Sequence, residues 1–299
     1  MLSLSLNWLK KEPIVRDDIR MVKEMGFNRV ELHWYYPQEY LAALKRDLEN
    51  ENVRTPSIHN PLSFRGCDVN VDLAHKDRRV REASIKVTKK TIEAAVFLGA
   101  EYVVLHVGNI DFSDFEEDKD LVFELYRKEN RITPPLEKLR TKFIQYRQDH
   151  APVHLKFSKQ SLEELLTFAG SRGIKLGIES RYYPHEIPSL EEIKEIIEYF
   201  NDPFIGFWHD VGHTTVQERL GFYTTGEHLA TLHPYIFGFH LHDIKENLRD
   251  HLAPGQGGFD FYTLKEYVKK GRPLVLEVFH ATKKEVLDGR ILLEKILGL

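Results

Sequence analysis

Cysteine is almost absent: Cys67 is the only one in 299 residues. That excludes an intramolecular disulfide framework and any thiolate zinc cluster, and it fits a reducing, cytoplasmic setting. Long hydrophobic runs are also missing. No apolar stretch approaches the ~18 residues that suggest a membrane span. The opening MLSLSLNWLKKEP turns basic after a few apolar residues, without a preceding positive region or a small-residue cleavage site, so no signal peptide is expected. Neither sign of charge dominates: 42 Lys and Arg stand against 46 Asp and Glu, a formal net charge of −4. This is the composition of an ordinary soluble protein. No Gly-rich phosphate or dinucleotide fingerprint follows the first expected strand, which counts against a doubly wound sheet. What is plentiful is histidine, 15 residues in all, the commonest side chain for binding transition metals and for moving protons near neutral pH.

Short apolar strands alternate with longer amphipathic segments along the whole chain. Strands are expected at 2–6, 28–33, 53–59, 101–108, 174–180, 204–210, 235–243 and 273–280. Helical patterns lie at 14–25, 38–51, 77–98, 158–172, 190–200, 226–232 and 259–270, with 283–297 closing the chain. Several helices end on Gly before a strand, as at Met25-Gly26, Leu98-Gly99 and Arg172-Gly173, the expected left-handed cap. Strand and helix in repetition imply a parallel sheet covered by helices. Eight such units imply a closed (β/α)8 TIM barrel, one α/β domain spanning residues 1–299. A chain of this size can bury roughly 75% of its unfolded surface without a partner.

One stretch breaks the repeat. Residues 109–157 separate strand four from its helix, beginning acidic (DFSDFEEDKD, 111–120) and turning basic (Arg127, Lys128, Arg131, Lys138, Arg140, Lys142, Arg147). It is too long for an ordinary loop. One reading is a solvated helical excursion. The other is a lid, because loops after barrel strands stand over the active site.

The strand ends carry the chemistry. Successive strands finish on His59, His106, Glu179, Asp210, His240 with His242, and Glu277. A single strand-end His is usually a hydrogen-bonded structural residue, but here every one of these ends is imidazole or carboxylate. Barrel closure brings them into one ring, where unpaired polar groups would be costly and a divalent cation would satisfy several at once. FWHDVGH (207–213) adds His213 three residues after Asp210, in the turn that follows. HLHDIKENLRDHLAPGQGGFDF (240–261) adds Asp250 and His251. Nitrogen and oxygen ligands without sulfur suit Zn²⁺ or Mn²⁺.

At these residues the chain resembles the xylose-isomerase-like barrel superfamily, which includes endonuclease IV and the sugar or sugar-phosphate isomerases and epimerases. The resemblance rests on SIHNP around His59, VVLHVG around His106, GIES around Glu179, HDVGH at 209–213, HLHD with DHLAPGQG at 240–257, and LVLEV around Glu277. It implies that Glu179, Asp210, His240 and Glu277 hold one metal. It further implies that His59 and His106, with Glu179 bridging, match a second metal position of endonuclease IV, and that His213 and His251 match parts of a third. One to three Zn or Mn ions per chain are therefore expected. The third position departs from the pattern: its carboxylate usually stands two residues before the equivalent of His251, where this chain has Arg249, with the acid displaced to Asp250. The His-x-Ser-Tyr pattern that carries endonuclease IV's DNA wedge reads His59-Asn60-Pro61-Leu62 here. Asp210-Val211-Gly212-His213, in place of Asp-Thr-x-His, is closer to the sugar-enzyme branch.

Other residues have plainer alternatives. Glu31 and His33 end strand two, as substrate contacts or as a hydrogen-bonded barrel layer. Trp8, Trp34, Tyr35 and Tyr36 sit near the mouth and could stack on a sugar or simply pack the rim; Trp8 and Tyr35 are candidate substrate contacts. Lys245 and Arg249 could neutralise a substrate phosphate or be ordinary exposed loop charges. His242 and Asp243 could orient the ligands. The turn at 255–258 reads as backbone permissiveness.

Two chemistries remain, and a catalytically idle binding barrel is a third reading. In a metal-dependent sugar isomerase or epimerase, Glu179 and Glu277 are the catalytic bases, facing opposite sides of the carbon that loses and regains a proton. In an endonuclease IV-like phosphodiesterase, clustered metals generate hydroxide, which the retained His59, His106, His213 and His251 would serve. DNA affinity comes largely from Lys and Arg on phosphates, and the acidic segment 111–120 lies at the catalytic rim. A small sugar-like substrate is thus expected ahead of a nucleic acid, with no membrane partner.

Overall fold

The computed structural model describes residues 2–11, 13–33, 36–62, 70–111, 113 and 116–299. Eight parallel strands close a barrel: β1 (Leu2–Ser5), β2 (Arg29–Leu32), β3 (Arg54–His59), β4 (Tyr102–Leu105), β6 (Lys175–Glu179), β8 (Ile205–Asp210), β9 (Ile236–Leu241) and β10 (Leu274–Leu276). Two short strands, β5 (Gly108–Asn109) and β7 (Glu186–Ile187), pair antiparallel beyond the ends of β4 and β6. All eight expected barrel strands are present, trimmed by one to four residues at the ends. Helices α1 (Arg16–Glu24), α2 (Leu41–Glu51), α3 (Arg78–Leu98), α6 (Leu190–Phe200), α8 (Thr225–Leu232) and α9 (Lys283–Leu297) stand where the apolar periodicity places them. Each buries an apolar stripe: Ile19 and Val22 on α1, Ile193 and Ile196 on α6, Leu293 on α9. Burial of one such side chain contributes roughly 1.5–3 kcal/mol.

The barrel interior is filled around Trp208, which is fully buried on β8. Its ring fits because two neighbouring strands present glycine: a Cβ on Gly238 would lie 2.5 Å from the ring, and one on Gly177 3.0 Å from it. Trp208 in turn floors the site, its ring centroid 5.4 Å from that of His240. Register sets the ring of polar groups above this floor, pairing Asp210 with His240 and Glu179 with Trp208 on adjacent strands.

Three expectations need correction. The segment 109–157 does not end before a separate helix at 158: α4 (Glu116–Glu129) is followed by α5 (Pro134–Gly170), one helix of 37 residues. Pro152 lies inside it and removes one backbone hydrogen bond without ending it. The expected helix at 259–270 is only a 3-10 turn, Phe261–Leu264, capped by the Asp260 side chain. Phe261 and Leu264 alone bury their side chains there, too little apolar face for a longer helix. Conversely, the turn expected after Asp210 is a helix, α7 (Val211–Arg219). Every residue from Val211 to Gln217 is buried, so no one-sided stripe announces it.

The part of the chain inserted after β4 docks on the loops at the C-terminal ends of the strands. Arg127 donates to Asn247 O, Arg140 to Gly221 O, and Arg147 to Pro184 O and Glu186 O at 2.6 and 2.7 Å. Phe123 of α4 stacks on Tyr182, centroids 5.5 Å apart and planes 6° from parallel, and Tyr182 meets the edge of His213 at 5.7 Å. Among the described residues no helix is long and apolar enough to cross a membrane.

Candidate metal and active site

Four buried side chains converge at the C-terminal mouth. Glu179, Asp210, His240 and Glu277 each offer a ligand atom, all within 4.8 Å of one another. His240 Nδ1 is 2.5 Å from Glu179 Oε1, 3.2 Å from Glu277 Oε2 and 3.8 Å from Asp210 Oδ2. Two further groups share members with this centre: His59, His106 and Glu179, and Asp210, His213 and His251. Glu179 bridges the first pair of groups, since its Oε2 lies 3.2 Å from His59 Nε2 and 2.6 Å from His106 Nε2. Asp210 bridges the second. It also caps α7, its Oδ1 accepting from His213 N at 2.7 Å, so a single carboxylate starts the helix and faces the site. The structure thus brings together all eight of the expected ligands.

Hydrogen bonds assign the tautomers. His59 Nδ1 donates to Asn60 O at 2.8 Å and His213 Nδ1 to Ser180 O at 2.8 Å; His251 Nδ1 is 3.1 Å from Asp250 Oδ2, and His240 Nε2 is 2.8 Å from Glu31 Oε1. Each imidazole thereby uses one N–H on an outer partner. The remaining lone pairs of His59 and His240 point at carboxylate oxygens, an acceptor-to-acceptor contact that only an extra proton or a cation relieves. His242 is the opposite case. Its Nδ1 accepts from His251 N at 2.9 Å, leaving Nε2–H to donate to both oxygens of Asp210 at 3.1 and 3.0 Å, so both of its nitrogens are already engaged and it can hold Asp210 in place.

Charge states follow. Burial pushes His240 down, but Glu277, Glu31 and Glu179 outweigh it and hold its pKa well above the ordinary value. Burial opposes ionisation of Glu179 and Asp210, yet His240 and His106 hold the former well below its usual range, and His213 and His242 the latter. His242 is likewise resisted by burial and raised by Asp210, to about 9. His106 is pulled down to about 3 by burial and the charge of Arg181. With a cation at the centre, the carboxylates would no longer need these protons. An imidazole, three carboxylates and lone pairs already aimed inward form a donor set that fits a divalent ion of intermediate softness.

The model of the family described as Xylose isomerase-like TIM barrel matches residues 19–295. The chain belongs to this family. Among its relatives, the uncharacterized protein MJ1311 of Methanocaldococcus jannaschii is 24% identical over 272 residues, 89% of this chain and 78% of that one. A D-tagatose 3-epimerase-like protein superposes with a TM-score of 0.71 at 18% identity, covering 99% of this chain and 97% of its own. D-psicose 3-epimerase from Clostridium cellulolyticum H10 gives 0.70 at 12% identity, covering 99% of both. At those identities the likeness is one of fold.

Around this xylose-isomerase-like ring, other expected residues divide. Asp243 organises the turn at 255–258, accepting backbone N–H groups from Gly255, Gly257 and Phe259 at 2.8–2.9 Å. Gly257 is required there, since a Cβ would lie 2.5 Å from Asp243 Oδ1 and Ile244 O. Trp8 is half-buried and donates Nε1–H to Ala281 O at 2.8 Å, which ties the first and last strand-end loops together. Lys245 and Arg249 lie exposed on the loop after β9, and Tyr36 is buried. Trp34, Tyr35 and Cys67 lie outside the described residues.

Some site features escaped the sequence. Asp250, expected as the displaced acid of the third group, sits instead against the outer nitrogen of His251, and Asp210 supplies the acid of that group. His251 adopts φ 53 and stacks between His242 and Phe279, centroids 4.1 and 4.0 Å away. Arg181, two residues past Glu179, pairs with Glu186; its position just after the ligand is the only sequence signal of it. A cavity of about 870 Å³ lies behind this pair, between α5 and α6. None of the ring residues lines it, so volume alone would misplace the site.

Proposed function

We propose that the protein is a divalent-metal-dependent isomerase or epimerase acting on a sugar or sugar phosphate, with Glu179 and Glu277 as its acid and base. The observation that carries this reading is that both carboxylates reach one imidazole nitrogen, His240 Nδ1, from β6 and from the chain just after β10. These strands are separated in the barrel by β8 and β9, so the two carboxylates approach the mouth from different sides. A substrate carbon held between them could lose a proton to one Glu and regain it from the other, giving epimerisation. Return by the same group, at the neighbouring carbon, gives isomerisation. A bound divalent ion would polarise the adjacent carbonyl and hydroxyl oxygens.

The chain's own residues supply the rest. Asp210 and His240 complete the ligand set, and His242 holds Asp210 in place. Tyr182, wedged between Phe123 and His213, would let the inserted α4 act as a lid that limits water at the reacting carbon. In this reading Lys245 and Arg249, exposed on the loop after β9, would meet a phosphate on the substrate. Several proteins of the same fold are named as 3-epimerases of ketoses, which supports the reading without fixing the substrate. Mn²⁺ and Zn²⁺ are the ions the donor set suits.

A second reading, phosphodiester hydrolysis on clustered metals, is favoured only by the two additional imidazole groups around His59 and His213. The two are separated by assaying metal-loaded protein against ketoses, aldoses and their phosphates, and against abasic DNA. Interconversion of a sugar supports the first. Cleavage of the DNA dependent on His59 and His106, with no sugar converted, would replace it with the second.

A further inference from the structure

Glu31 is fully buried in the barrel wall, and among the described residues no Lys or Arg pairs with it. Its two oxygens are divided. Ser57 Oγ donates to Oε2 at 2.5 Å, and Oε1 faces His240 Nε2 at 2.8 Å. The backbone arranges this division: β2 and β3 pair Arg29 with Arg54 but Glu31 with Ser57, an extra residue on β3 that brings the serine beside the glutamate. Without it Glu31 would face Pro56, which has no hydroxyl to occupy the second oxygen. The remaining oxygen can only be an acceptor, so His240 must carry its proton on Nε2. Its Nδ1 is then a lone pair directed at Glu179, Asp210 and Glu277.

We infer that Glu31 is a positioning residue that fixes the tautomer and aim of His240 and thereby sets the divalent-metal affinity of the centre. This rests on the metal site proposed above and goes beyond it by assigning a role to a residue that touches neither metal nor substrate. Carboxylates placed behind a metal-bound imidazole hold its ring and increase its basicity, and their loss typically costs 10–100-fold in metal affinity. Glu31 and His240 are 209 residues apart in sequence, and only barrel closure joins them.

The test is calorimetric titration of Mn²⁺ into chelator-stripped protein, wild type against Glu31→Met, which preserves volume and removes the acceptor. The expected result is an affinity lowered roughly 10–100-fold in a variant whose circular dichroism matches wild type. A folded variant binding within about twofold of wild type would overturn the inference. Should Glu31→Met fail to fold, the wild type decides by ¹⁵N NMR of its histidine side chains in the Zn²⁺-loaded state. A proton on Nε2 of His240 supports the inference, and an unprotonated Nε2 overturns it. Neither measurement uses a sugar. Wild-type protein that binds Mn²⁺ but converts no sugar counts against the proposed reaction alone, whereas wild type that takes up no divalent ion removes both.

Discussion

Glu179 Oε1 lies 2.5 Å from His240 Nδ1, while the other oxygen of the same carboxylate is 2.6 Å from His106. One side chain at the end of β6 therefore belongs to two of the three overlapping ligand groups, and no other residue is shared by that pair. Removing it should empty more of the site than removing a ligand that belongs to one group only, and Asp210, which bridges the other pair, should behave alike. Elemental analysis of purified protein is expected to find more than one divalent ion per chain, with Glu179→Ala losing far more than His251→Ala, which removes a ligand of one group only. A Glu179→Ala protein that keeps its full complement would contradict the bridging role.

Burial of imidazole away from the site gives a pH-dependent stability. His209 on β8 and His228 on α8 are fully buried, and none of their ring nitrogens has a hydrogen-bond partner among the described residues. Burial lowers His209 to about 4 and His228 well below its usual value. In the unfolded chain both titrate near 6.5. Between about 6.5 and 4 the unfolded state takes up protons that the folded state refuses, so stability present at neutral pH falls as pH drops, by roughly 1.4 kcal/mol per unit for each group. Urea midpoints from pH 6.5 to 4.5 should show this slope, and His228→Leu should flatten it. An unchanged slope in that variant would mean His228 does not contribute.

The strand pattern and the strand-end ligands were legible because both are local: alternation and length mark a strand, and a polar residue closing an apolar run is visible without a structure. Features that depend on the closed barrel were not. Nothing in VELH marks Glu31 as the partner of His240, and nothing near Trp208 marks Gly177 and Gly238 as the space for its ring. The helix α7 was hidden for the opposite reason: it is buried on all sides, so its polar residues Thr214, Thr215 and Gln217 carry no amphipathic period. Likewise, α5 conceals Pro152 in its interior.

Crowding around Trp208 gives a stability prediction. Gly238→Ala would place a methyl group 2.5 Å from the buried ring, and overpacking of this kind typically costs about 1–3 kcal/mol. Because that ring also floors His240, metal affinity should fall with stability. A variant as stable as wild type by urea denaturation would show that the barrel interior is less tightly filled than the structure indicates.

The inserted helices can be tested without deleting them, which would remove buried parts of α5 such as Phe143 and Leu155. Phe123→Ala breaks the stack on Tyr182, worth about 0.5–1.5 kcal/mol. If α4 serves as a lid, kcat/KM should drop several-fold with metal content unchanged. Identical kinetics would make the insertion a surface excursion.

Proton transfer at carbon between Glu179 and Glu277 can be followed by incubating the metal-loaded protein with ketoses, aldoses and their phosphates in D₂O and analysing the products by NMR. One of them should be interconverted, with deuterium appearing at the reacting carbon if the transferred proton exchanges before its return, and Glu277→Gln should abolish the conversion in a folded protein. No conversion across a broad panel, together with cleavage of abasic DNA or another phosphodiester that requires His59 and His106, would contradict it.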